Sequence, residues 1–185
     1  MITHEIAIQK VDELISNPNL VKHCLAVEAA MRAYADYFKV STNEKEQWAI
    51  AGLIHDADWE RYPQQHPQVI IRWLKELNES EDLQNAIAAH GFNFNVEAKT
   101  LMTKTLRAVD ELTGLIVAVT LVRESKKLAD INVESVLKKW HVAGFAKGVK
   151  REDIEKGAAE IGVSLNEHIQ IVIKAMQETA GDLDL

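Results

Sequence analysis

A single cysteine, Cys24, stands among 185 residues, so no intrachain disulfide can form, which points to a reducing compartment. Three prolines and eight glycines leave no linker-like or low-complexity stretch. No fixed-period self-similarity runs through the chain, which excludes a repeat array. Long apolar runs are also missing. The longest, Leu115 to Val122, is eight residues with a threonine inside it, far short of a membrane span. The opening Met-Ile-Thr-His-Glu-Ile has no basic region followed by an apolar core, so no signal peptide is expected. Basic residues are outnumbered. A net charge of −7 argues against general nucleic-acid binding, but a small anionic substrate stays compatible with it, because a bound cation can reverse the local field. The Lys126-to-Lys156 stretch holds eight basic residues against five acidic ones and reads as a solvated helix face. The expectation is a soluble cytoplasmic protein, residues 1–185 forming one domain, with no membrane or nucleic-acid partner.

What is present is helical spacing. No segment alternates apolar and polar residues long enough to insist on a strand. The spacing predicts a helix over 6–16, stopping before Asn17-Pro18-Asn19. A second, over 20–38, carries Leu20, Cys24, Val27, Met31, Tyr34 and Phe38 on one stripe, with His23 at its edge. Ser41 and Glu44 form a capping box that starts a third helix, which runs through an apolar stretch to His55-Asp56, with Tyr62-Pro63 as its break. Gln65-His66-Pro67 opens a fourth helix, whose buried side is Val69, Ile70, Trp73, Leu74 and Leu77. Ser80 caps a short helix from 81 to 90, stopped by Gly91. A long helix over 99–124 is apolar on most faces after Val109 and belongs at the centre. Shorter helices follow, from 130 or 132 to Trp140, from 151 to 161 and from 165 to 179. Ser164 and Glu167 offer the last of these a second capping box. The fold class is all-α, a globule of roughly eight to ten helices rather than a four-helix bundle.

Six groups sit badly with a purely structural role: His23, His55, Asp56, His66, His90 and Asp110. Buried imidazoles and carboxylates are costly unless paired or bound to metal. The order His, His-Asp, two further histidines, Asp resembles the HD superfamily of metal-dependent phosphohydrolases, defined by a His…His-Asp…Asp pattern on an all-α scaffold. The stretches from His55 to Pro67 and from Asp110 to Ile116, with Ser135 to Lys139 and Gly144 to Arg151, resemble predicted HD hydrolases of unsettled substrate. The likeness covers about residues 20 to 175. It implies His23, His55, Asp56 and Asp110 around one divalent ion, with Asp56 bridging to a second held by His66 and His90. The donor set suits Zn, Fe, Mn, Co or Ni, with Mg also admissible. It further implies hydrolysis of a small phosphorylated metabolite or nucleotide by water that the metal activates.

Departures from the family pattern are equally informative. The third residue after Asp56 is Trp59, where many phosphodiesterase members carry a phosphate-binding lysine. Phosphate contacts then fall to Arg107, Lys104 or Arg61. Glu60 is a candidate proton donor to the leaving group, with Asp58 as its rival. His4, His141 and His168 fit no pattern and read as surface or satisfied histidines. Trp48, Trp59 and Trp73 read as core. Two other functions share the ligand set: an HD-type di-iron oxygenase and a non-catalytic ligand-binding HD domain.

Overall fold

The computed structural model describes residues 2–185. Among these, ten α-helices follow in order: α1 (His4–Leu14), α2 (Pro18–Tyr37), α3 (Thr42–Ile54), α4 (Gln68–Glu76) and α5 (Glu81–Ala88), then α6 (Leu101–Leu121), α7 (Val133–Trp140), α8 (Arg151–Glu160), α9 (Leu165–Glu178) and α10 (Ala180–Leu183). Two 3₁₀ turns, Phe92–Phe94 and Leu128–Asp130, flank α6, and no strand occurs among the described residues.

Capping side chains explain most of the boundaries. Thr3 accepts a hydrogen bond from the Ile6 amide, which starts α1 earlier than the apolar spacing indicates. Asn17 caps α2 with Pro18 in its first turn, so the segment read as a stop for one helix is also the start of the next. The Ser41–Glu44 box forms in full. At Ser164 only half of the expected box forms. Ser164 accepts from the Glu167 amide, whereas the Glu167 carboxylate takes the Tyr37 hydroxyl at 3.1 Å.

The helix α6 lies at the centre, packed against α2, α5, α8 and α9. Leu106, Leu112, Leu115 and Ile116 on it are fully buried, each contributing about 1.5–3 kcal/mol. The fourth helix differs from its expected face. Ile70, Ile71 and Leu74 are buried, while Leu77 is exposed and Val69 and Trp73 are half-buried. The cause is length. At nine residues α4 offers one narrow stripe, and Leu77 already lies at its C-cap.

The pair α2 and α3 is held unusually close. A Cβ on Gly52 would stand 2.9 Å from the Glu28 Cα, the Glu28 amide nitrogen and the Val27 carbonyl oxygen. Gly52 therefore makes room for a neighbouring helix backbone. His168 closes α9 onto the centre, its Nε2 donating to the Ala108 carbonyl at 2.9 Å, while the Tyr34 hydroxyl meets its Nδ1. It is the buried, satisfied histidine the sequence suggested. His4 pairs with Glu28 at 2.8 Å, and His141 is exposed.

Candidate metal centre

The third helix ends at Ile54, two residues short of the Asp56 end read from the sequence and well before Tyr62-Pro63, and residues 55–61 run on as turns. His55 is its C-cap, and its Nδ1–H donates to the Gly52 carbonyl at 2.7 Å, one of the carbonyls the helix end leaves without an amide. His90, just past the end of α5, repeats the arrangement with Nδ1–H on the Ile87 carbonyl at 2.7 Å. His66 gives its Nδ1–H to the Asp58 carboxylate at 2.6 Å. His23 meets the Thr113 hydroxyl through Nδ1 at 3.4 Å, and that hydroxyl donates to the Asp110 carbonyl at 2.8 Å. Each imidazole thus turns its Nε2 inward.

The inward atoms form two groups: His23, His55 and Asp110, and Asp56, His66 and His90, the ligand atoms of each lying within 4.8 Å of one another. In the first, the Nε2 atoms of His23 and His55 are 3.2 Å apart, and Asp110 Oδ1 is 3.1 Å and 3.5 Å from them. In the second, the Nε2 atoms of His66 and His90 are 3.3 Å apart. Asp56 stands between the groups. Its Oδ1 is 3.4 Å from both His66 and His90, and its Oδ2 is 3.7 Å from His23 and 3.6 Å from His55.

These distances fit a metal. With Nδ1–H committed outward, Nε2 offers a lone pair, and two lone pairs facing at 3.2 Å repel unless a proton or cation lies between them. Bonds of 2.0–2.1 Å place neighbouring ligand atoms about 3.0 Å apart in an octahedral shell and about 3.4 Å in a tetrahedral one. The electrostatics agree. Burial disfavours the charged form of His55, but Asp56 and Asp110 outweigh it and raise the imidazole to about 9. Burial likewise works against ionised Asp56 and Asp110, yet His55 beside each holds both well below the ordinary carboxylate range. A bound ion would displace the His55 proton.

A cavity of about 210 Å³ opens onto Asp56, His66, His90 and Asp110. Its walls are Trp59, Phe92 and Phe94, with Arg107 and Glu111 from α6 and Asp153 from α8. Gly91 lets this loop fold back. Its φ is −108°, so it is no left-handed helix stop, but a Cβ there would meet Asn93 Oδ1 at 2.6 Å and the Phe94 ring at 2.9 Å. Trp59, read as core, is half exposed and meets His66 edge-on at the cavity.

The remaining candidates divide sharply. Arg107 lines the cavity, with its guanidinium paired to Glu160 and 4.0 Å from the Phe92 centroid. Lys104 and Arg61 are not among the lining residues, and Arg61 is exposed. Glu60 is a correction. Its carboxylate accepts the Ser16 and Asn17 amides at 3.0 and 2.9 Å, joining the end of α1 to the start of α2 away from the cluster. Asp58 is another. It is fully buried, bonded to His66 and to the Val69 and Ile70 amides at 3.0 and 3.1 Å, so it orients a ligand and starts α4. Glu111, Asp153, Phe92 and Thr113 escaped the sequence reading. Thr113 and Glu111 carried a signal, one turn after and directly beside Asp110; Asp153 carried none, because α8 reaches the site only through packing on α6.

A family model described as HD domain matches residues 20–138. The likeness read from the sequence extended further, to about residue 175. No curated protein and no solved structure matches the chain.

Proposed function

This chain belongs to the HD domain family, and from that premise we propose that it is a metal-dependent phosphohydrolase of a small phosphorylated metabolite or nucleotide. The observation that supports the reading is the pair of Nε2-to-Nε2 approaches at 3.2 and 3.3 Å joined by one carboxylate, Asp56. His23, His55 and Asp110 would hold one divalent ion and His66 with His90 a second, Asp56 serving both. Divalent ions in such a shell make coordinated water acidic and neutralise charge on a phosphoryl group. Zn, Fe, Mn, Co, Ni or Mg would suit the donors to differing degrees.

The chain's own residues do the rest. Gly52, Ile87 and Asp58 fix three imidazoles in the tautomer that offers Nε2. The Nε of Arg107 is buried and has no hydrogen-bond partner, and the residue lines the cavity, so its guanidinium would be the donor to a phosphoryl oxygen there. Phe94, whose ring centroid is 4.8 Å from that of His90, keeps bulk water off the second group.

The test is elemental analysis of the purified protein joined to turnover of a broad phosphoester and nucleotide panel. His55→Ala and Asp56→Ala are each expected to lose metal content and turnover together. Full metal occupancy with no phosphoester turned over would sink the proposal. Two irons with O₂ consumption would replace it by the di-iron oxygenase reading.

A further inference from the structure

The cavity lining carries charge of both signs. Ions at the two ligand groups would outweigh Asp56 and Asp110 and leave that part of the wall positive. The lining also holds Glu111, the residue after Asp110 on α6, and Asp153 in the first turn of α8. Glu111 accepts only a backbone amide, that of Lys150, at 3.3 Å. Neither carboxylate forms an ion pair among the described residues. Among the nearby cations, Lys150 acts on Glu111 by charge without forming an ion pair with it, Arg107 pairs with Glu160, and Lys156 lies 4.1 Å from the Phe92 centroid and does not line the cavity. Arg107 nevertheless keeps its buried Nε–H unpartnered, with only a tenth of its side chain exposed. One wall therefore offers a lone donor suited to an anionic oxygen, and beside it two carboxylates suited to a cation.

We propose that the site selects phosphomonoesters whose alcohol carries an ammonium group, the phosphoryl group lying at the metal ligands and Arg107 and the ammonium between Glu111 and Asp153. The inference rests on the phosphohydrolase reading and names its substrate class. Charge decides between donors. A hydroxyl would satisfy a carboxylate's hydrogen bonding but leave both carboxylates without an ion pair, whereas an ammonium satisfies both needs. Size agrees, since 210 Å³ lies below the usual range for drug-sized ligands and suits a short amino alcohol phosphate. Hydrolysis would add water's oxygen to phosphorus, break the bond from phosphorus to the alcohol oxygen, and release phosphate and the amino alcohol, with water's protons divided between them.

The experiment uses the metal-loaded full chain and two non-hydrolysable probes of equal size, 2-aminoethylphosphonate and propylphosphonate, titrated by calorimetry. The amino probe is expected to bind about tenfold more tightly or better, from one charge-assisted contact set. Asp153→Asn and Glu111→Gln are each expected to cut that ratio several-fold, and the wild-type comparison stands whether or not either variant folds. Equal affinities, or tighter binding of propylphosphonate, would overturn the inference. A parallel assay compares turnover of phosphoethanolamine and glycerol phosphate. Equal turnover, or preference for the glycerol ester, overturns the ammonium selection and leaves the hydrolase standing. Tighter binding of the amino probe without turnover of any phosphoester upholds the recognition and removes the hydrolase.

Discussion

Replacing Gly52 by alanine puts opposing effects in one methyl group. In an isolated helix the change stabilises, by about 1 kcal/mol. Here the new Cβ would meet three backbone atoms of α2 at 2.9 Å, whereas carbon contacts are comfortable only from about 3.5 Å. Backbone atoms have no rotamer to escape into, so α2 and α3 must separate by roughly half an ångström along their contact. Overpacking of this kind costs typically 1–3 kcal/mol, and rigid neighbours place it at the upper end. The net expectation is a loss of about 2 kcal/mol, which for a chain of this length lowers the melting temperature by roughly 4–8 °C. The site should respond as well, because His23 lies on α2 and His55 caps α3, and their 3.2 Å approach depends on that spacing. Urea unfolding followed by circular dichroism gives the stability change, and metal titration gives the affinity change. Gly114→Ala is the control. Its Cβ would meet only Val149 Cγ2, at 3.8 Å, so the helix preference should prevail and stabilise α6 by about 0.5–1 kcal/mol. Equal signs for the two variants would refute the argument from close approach.

Three further outcomes are expected. Burial lowers His168 to about 4, from an unfolded value near 6.5. The unfolded chain therefore binds more protons between those values, and stability is lost as pH falls from about 6.5 to about 4. At 1.36 kcal/mol per unit the loss is about 3 kcal/mol, and His168→Gln should flatten that limb of a stability-versus-pH curve relative to wild type. Asp58→Ala should release His66 and weaken metal binding at the Asp56, His66 and His90 group by about 10–100-fold, leaving the other group occupied, as a two-site metal titration would resolve. Dialysis against a chelator should lower the melting temperature, and restoring the metal should recover it, because ligand bound only to the folded state stabilises it.

The order of the helices was legible because their ends carry chemistry. Ser41 with Glu44, Ser80 and Ser164 each marked a start that the structure keeps. Where the reading failed, a short element or a long-range contact was responsible. Leu77 looked like core by spacing, yet α4 ends before it, and nothing local announces that. Glu60 looked like a proton donor because it follows Asp56 by one helical turn, but α3 stops at Ile54 and the chain turns away. Its carboxylate meets Ser16 and Asn17, more than forty residues back. The ligand residues were legible for the opposite reason. An imidazole or carboxylate inside an apolar stretch is conspicuous, since solvation lost there must be replaced by a specific partner.

What spacing alone could not convey is why His55 and His90 are held so alike. Each sits just beyond a helix C-terminus and turns its Nδ1–H back onto a carbonyl three residues earlier. Those carbonyls belong to the last turns, which lack amide partners, so each histidine satisfies an orphan acceptor and thereby fixes its own tautomer. The same helix ends carry the negative pole of the backbone dipoles, which favours a cation nearby by a few tenths of a kcal/mol up to about 1 kcal/mol. The two helices α3 and α5 thus aim both a lone pair and a favourable field at neighbouring points, with Asp56 between them. A histidine shifted by one residue along either helix end would lose the carbonyl, the tautomer and the direction together. Placement at the helix terminus, more than residue type alone, makes these two positions suited to metal.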